Sequence, residues 1–174
     1  MTEDEGNARL HALAEAITRF GETSGLARRR VKQLGDELTE AFRAYLGEEA
    51  RVYAVPPMGK WDPATYFDQA FSYHGRHLLG VEPIKMGLAV CIPHIKDDGA
   101  MWVRIVLTFE LHRNEVVVTV GDHLAVGRVQ ETYDAAMLTA LCSGIYDFLL
   151  SIFADPVQSA VELQHGRIGF LPAG

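Results

Sequence analysis

The sequence predicts a single α+β domain over residues 1–174, and three hydropathy patterns carry that prediction. Residues 7–46 place apolar side chains at helical spacing, residues 86–129 alternate as strands do, and residues 135–154 form an apolar stretch of helical length. Strands grouped between helices, instead of alternating with them, are typical of the α+β class. A chain of 174 residues can bury a core without disulfides or metal ions.

Residues 1–48 are predicted to form a hairpin of two helices. The first covers residues 7–20, ends at Gly21, and has the apolar stripe Leu10, Leu13, Ile17 and Phe20. Ser24 would cap a second helix over residues 24–46, which Gly47 would end. The connection through Glu22 and Thr23 is short, so we expect the two helices to pack antiparallel.

Residues 49–174 are predicted to form the body, a β-meander packed on a helix. Arg51–Val55 is a candidate strand, and residues 86–129 read as three or four further strands. A two-residue turn at Arg113-Asn114 fixes the register of the central hairpin. In that register Leu111 lies opposite Val116, Phe109 opposite Val118 and Leu107 opposite Val120.

Three further elements complete the predicted body. Asp62-Pro63 is a good helix start, and that short helix would run to Phe71. Thr132 would cap a long helix that Asp155-Pro156 ends. The apolar residues Val161, Leu163, Ile168 and Phe170 flank His165-Gly166, which predicts a closing β-hairpin.

The long helix, residues 135–154, allows two interpretations. Twenty apolar-rich residues could span a bilayer, but Asp147 interrupts the run and no Lys or Arg lies between Arg128 and Arg167 to anchor its ends. A helix that is apolar on nearly every side is more typical of a protein core. We therefore predict no membrane insertion, and a homodimer in which a second subunit covers the surplus apolar side.

The composition limits the partners and the compartment. The net charge of −7 opposes binding to phosphate backbones and anionic lipid, so we expect no membrane partner and no nucleic acid outside a local basic patch. Cys91 and Cys142 both lie in apolar runs, which is typical of reduced, packed thiols. The acidic N-terminus does not resemble a signal peptide, and we expect a cytoplasmic protein.

Two segments are candidate partner-binding sites. The stiff loop with Pro56, Pro57, Met58 and Trp61 offers a typical aromatic anchor, unless Trp61 covers the core instead. The basic patch Arg28, Arg29 and Arg30 would lie in the first turns of the second helix, where the helix dipole disfavours cations. Such a patch could bind an acidic protein surface or a phosphate backbone, or could be an ordinary solvated face.

The polar side of the central hairpin is a possible ligand face. Its residues are Arg104, Thr108, Glu110, Thr119 and His123. Arg104 could hold an anion with His123 opposite it as a general base, although a solvated sheet face has the same composition. His74-x-x-His77 and Cys91-x-x-His94 are weak metal patterns, and we expect no metal ion, no cofactor and no catalytic residue.

These patterns favour a non-catalytic function. The leading hypothesis is a protein–protein interaction protein, regulatory or chaperone-like, that acts as a small acidic homodimer and binds another protein. The first alternative is a small enzyme or ligand-binding domain with a pocket between the sheet and the long helix. The second is nucleic-acid binding through the patch at residues 28–30.

Overall fold

The computed structural model describes residues 3–63, 70–71, 83–95, 99–112, 115–121, 124–130 and 132–173. It confirms the α+β class. In chain order the elements are α1 Glu3–Leu46, β1 Val52–Val55, β2 Ile84–Ile95, β3 Gly99–His112, β4 Glu115–Val120, β5 Leu124–Gln130, α2 Ala135–Ala154, α3 Pro156–Gln164 and β6 Ile168–Ala173.

The strands form one six-stranded antiparallel sheet. Its order is β1-β2-β3-β4-β5, and β6 pairs with β3. The predicted hairpin register is confirmed, because Phe109 lies opposite Val118 and Leu107 opposite Val120. The turn at residues 113–114 lies outside the described residues. β6 pairs with residues 100–105 of β3 and β4 with residues 107–112, so the two strands share one edge of β3.

The two faces of the sheet have different partners. The inner face, with Leu88, Ile105 and Phe109, packs against the C-terminal part of α1 and one side of α2 to form the main core. The outer face carries a smaller apolar cluster of Val55, Trp61, Ala89, Cys91 and Trp102. Alternate residues of one strand point to opposite faces, which explains why neighbouring positions belong to separate clusters.

The predicted N-terminal hairpin is wrong, because α1 is one helix of 44 residues. Gly21 does not end it, and Thr23 Oγ1 donates a hydrogen bond to the carbonyl of Arg19, inside the helix. A glycine costs a helix only about 1 kcal/mol relative to alanine. The apolar stripe continues in phase through this point, so the chain has no reason to reverse there.

α2 is a core helix on one side only. Its cap is Asp134, whose carboxylate accepts a hydrogen bond from the amide of Met137 at 2.9 Å, so the predicted cap at Thr132 is two residues early. Among the described residues, α2 is the one helix long and apolar enough to cross a membrane. Leu141, Cys142 and Ile145 are fully buried within the protein, and 33% of this apolar stretch is buried in all.

The predicted closing β-hairpin is also wrong. Asp155 ends α2 but also caps α3, since its carboxylate accepts from the amides of Val157 and Gln158. Val161 and Leu163 therefore lie on a helix, and Ile168 begins the single strand β6. The Asp-Pro pair is a helix start, and the prediction read it only as a helix end.

Most of the short helix predicted after Pro63 falls outside the described residues. Its proposed last residue, Phe71, forms an isolated antiparallel bridge with Met86 of β2. The Phe71 side chain is buried in the main core. The predicted helix therefore does not extend to Phe71.

Candidate functional site

The N-terminal half of α1 carries an exposed apolar stripe. We call residues 6–27 the arm. Its large apolar side chains are exposed by 66% at Leu10, 59% at Leu13, 49% at Ile17 and 42% at Phe20. Within α1, the buried residues of the main core begin at Val31. At 1.5 Å per residue the arm is about 33 Å long, and its stripe faces solvent.

The arm stripe and the buried stripe of α1 form one heptad pattern. From Leu10 the spacing alternates three and four residues along the whole helix, through the positions Leu10, Leu13, Ile17, Phe20, Ser24, Ala27, Val31, Leu34, Leu38 and Ala41. Alternation of three and four is the signature of a helix that packs lengthwise against another helix. The last residues of this series pack in the core, whereas the first four are exposed.

A second apolar surface lies on the outer side of α2. We call Tyr146, Leu150, Phe153, Val157 and Phe170 the α2 patch. Leu150 is 53% exposed, Phe153 55% and Val157 74%. The rings of Phe153 and Phe170 lie 6.3 Å apart, which joins α2 to β6. Contiguous exposed apolar surface of this kind is typical of interaction sites.

The basic patch Arg28, Arg29 and Arg30 lies in the interior of α1. Because α1 begins at Glu3, these residues are not at a helix N-terminus, and the dipole penalty expected from the sequence does not exist. Arg29 is exposed, and Arg28 and Arg30 are half-buried. The patch therefore marks the base of the arm.

The Pro56–Trp61 loop is not a simple exposed anchor. Trp61 is only 8% exposed and packs in the outer-face cluster with Trp102. Pro57 is buried and Pro56 half-buried, which leaves Met58, at 69%, as the exposed apolar residue of the loop. The structure therefore agrees with the alternative interpretation, in which Trp61 packs against the sheet.

Arg104 is buried beneath this loop. Its side chain is 6% exposed, and its Nη1 donates to the carbonyls of Pro56 and Gly59, each at 3.1 Å. The guanidinium carbon lies 5.5 Å from the Trp61 ring centroid. Burial lowers the pKa of Arg104 from its usual value. Because α2 packs on the opposite face, the predicted pocket between sheet and long helix cannot be lined by Arg104.

The rest of the predicted ligand face is only partly assembled. Thr108 lies opposite Thr119, as predicted, and both are half-buried. Glu110 Oε2 lies 3.5 Å from Nε2 of the exposed His112. His123 lies outside the described residues. Arg104 pairs instead with Gly169 of β6, a contact that the local pattern of β3 and β4 could not reveal.

The weak metal patterns gain no support within the described parts of the chain, which contain no group of three His, Cys, Asp or Glu side chains suited to a metal ion. His74 and His77 lie outside those parts. Both cysteines are free and buried, and Cys91 Sγ accepts a hydrogen bond from Arg51 Nη2 at 2.7 Å.

No family model, no curated protein and no solved structure matches this chain.

Proposed function

We propose that the protein is a non-catalytic protein-binding module that assembles as a cytoplasmic homodimer through its arm. The observation that carries the proposal is the heptad stripe of α1, whose buried half packs in the core and whose other half exposes Leu10, Leu13, Ile17 and Phe20. A second helix with matching spacing covers such a stripe best. Another copy of α1 has that spacing.

Charge favours an antiparallel pair of arms. A parallel pair would bring the Arg28–Arg30 patches of the two copies together, which is unfavourable. An antiparallel pair moves each patch toward the beginning of the partner chain, where the sequence has Glu3-Asp4-Glu5. With Leu13 opposite Ile17 of the second copy, Leu10 comes opposite its Phe20, so all four stripe residues are used.

The α2 patch is the proposed docking surface for the other protein. Its exposed residues belong to α2, α3 and β6, which are tied to the body by buried neighbours such as Ile152 and Ile168. A rigid apolar surface loses little entropy on binding, and it fits an apolar face of a partner protein. A regulatory or chaperone-like role would follow from binding such faces.

The experiment uses two double variants and one control. Leu13→Glu with Ile17→Glu charges the arm stripe, and Leu150→Glu with Phe153→Glu charges the α2 patch. Ala8→Glu with Thr18→Glu adds the same charge to the arm away from the stripe. We expect sedimentation equilibrium to give twice the chain mass of 19.2 kDa for the wild type, the control and the patch variant, and a monomer for the arm variant.

The same variants test the docking surface. A partner that co-purifies with the wild type should remain bound to the arm variant and be lost from the patch variant. If the patch variant becomes monomeric while the arm variant stays dimeric, the arm proposal is wrong and α2 forms the dimer. If both variants retain every partner equally, the α2 patch is not a docking surface.

A further inference from the structure

Arg104 is a buried cation to which the described residues supply no carboxylate partner. Its two hydrogen bonds to described residues both go to neutral carbonyls, those of Pro56 and Gly59, and both come from the same nitrogen, Nη1. A buried charge without a counterion is costly, and proteins usually pair such a charge or neutralise it. The free edge of this guanidinium therefore requires an explanation.

The free edge lies over a glycine, where the side chain of a neighbouring strand is missing. Arg104 Nε is buried and has no hydrogen-bond partner in the part of the chain that the structure describes. Gly169 of β6 lies next to it, and a Cβ at that position would stand 3.5 Å from Nε and from Nη2 of Arg104. The same point lies 3.5 Å from Nε1 of Trp61. Three nitrogens that carry hydrogens therefore converge over the glycine of β6.

We propose that Arg104, Trp61 and Gly169 form a binding site for one carboxylate group. The two carboxylate oxygens accept hydrogen bonds from Nε and Nη2 of Arg104, and Trp61 Nε1 provides a third donor. The paired N–H groups of an arginine edge match the two oxygens of a carboxylate in spacing and plane. This site is independent of the arm and of the α2 patch, so it goes beyond the proposed function.

The surroundings favour a carboxylate over a phosphate dianion. The site offers one positive charge, and Trp61, Trp102 and Ala89 make its neighbourhood apolar. One carboxylate neutralises that charge, whereas a dianion would leave a net buried charge. Burial lowers the pKa of Arg104, and a bound carboxylate would offset that effect because an opposite charge favours the charged form.

The Pro56–Trp61 loop, which covers Arg104, provides the entrance to the proposed site. Met58, Gly59 and Lys60 are consecutive exposed residues, and Gly59 has a φ of +72°. A movement of these residues uncovers the guanidinium without breaking the sheet. The ligand is then a small free carboxylate or the C-terminal carboxylate of a peptide.

The test is thermal unfolding of the full chain in sodium acetate against sodium chloride at equal ionic strength. We expect saturating acetate to raise the Tm of the wild type by about 4 °C. Gly169→Ala should lose this rise, because its methyl group would lie against Nε and Nη2 of Arg104 and exclude a carboxylate. The variant should still fold, because 3.5 Å is an ordinary contact distance. Arg104→Met should also lose the rise, and Arg128→Met, which replaces an exposed arginine of β5 that pairs with Glu115, is the matched control that should keep it.

A second pair of probes identifies the source of the carboxylate. N-acetyl-Ala-Ala with a free C-terminus is compared with the same dipeptide as its C-terminal amide. A rise with the acid that exceeds the rise with acetate indicates a peptide terminus, and a rise with acetate alone indicates a small free acid. If neither acid raises the Tm, or if Gly169→Ala responds as the wild type does, the proposed site does not exist.

Discussion

The two halves of α1 share one pattern of apolar residues but have opposite environments. Leu34 and Leu38 are 1% and 0% exposed, whereas Leu10 and Leu13 are 66% and 59% exposed. The heptad spacing is the same in both halves. Heptad spacing therefore predicts which face of a helix will be buried. Which part of the same or another molecule packs against that face depends on the rest of the structure.

The two halves should differ most in how much stability is lost when a leucine is replaced by alanine. Leu38→Ala removes a fully buried side chain and should lower the free energy of unfolding by about 3 kcal/mol. Leu13→Ala, the same substitution in the arm, should change the stability of the monomer by less than about 0.5 kcal/mol. Denaturant unfolding of dilute protein measures both values, and a comparable loss from both variants would remove the distinction between the halves.

Two glycines of α1 should respond to alanine with opposite signs. A Cβ at Gly35 would stand 2.7 Å from Phe71 Cζ and 3.0 Å from Met86 Sδ, so Gly35→Ala should destabilise by about 1–3 kcal/mol. A Cβ at Gly25 would meet nothing within 4 Å, so Gly25→Ala should stabilise the helix by about 1 kcal/mol.

Denaturant unfolding followed by circular dichroism measures the free energy of unfolding of both glycine variants. Gly21→Ala tests the continuity of α1, because Gly21 lies inside the helix here and at a helix end in the predicted hairpin. It should stabilise an unbroken helix by about 1 kcal/mol, whereas a loss of stability would support the hairpin.

A smaller effect should come from the hydrogen bond between the buried half of α1 and Tyr133, which lies just before α2. Tyr133 donates a hydrogen bond to Glu37 Oε2 at 2.6 Å. Burial, followed by this bond, raises the pKa of Tyr133 to about 12. The folded state therefore holds the phenolic proton more tightly, and this stabilisation is complete below pH 10 and is lost as the pH rises to about 12.

Tyr133→Phe tests this contact. The variant should lose about 1 kcal/mol at neutral pH, and its stability should fall less steeply than that of the wild type between pH 10 and pH 12. The difference between the two unfolding curves isolates Tyr133 from other groups that titrate there. Parallel curves across that range would show that the bond does not contribute.

Local patterns predicted the sheet well and the long-range pairings poorly. Alternation in β3 and β4 fixed the register of Phe109 and Val118, because only one register places every apolar side chain on one face. Nothing local indicated that β6 would pair with β3, since about 60 residues separate the two strands in sequence. The prediction that His123 lies opposite Arg104 was therefore wrong, because Gly169 takes that position. The interpretation of Arg104 as an anion-binding residue stays a prediction.

The prediction of a helical hairpin over residues 1–48 was wrong for a different reason. Gly21, Thr23 and Ser24 were interpreted as a helix end and a helix cap, and each of those preferences is weak. The signal that could have corrected the prediction was present in the sequence. Phe20, Ser24, Ala27 and Val31 keep the heptad phase across the supposed turn, and a helix that reverses direction has no need to keep it.

Amide hydrogen exchange at several protein concentrations tests the central claim most directly. An arm that pairs with a second copy should become more protected over residues 8–27 as concentration rises, while protection over residues 31–45 stays constant. Ile17→Glu should abolish the concentration dependence in the arm. Exchange in the arm that is the same at every concentration would contradict the claim that a second copy covers this stripe.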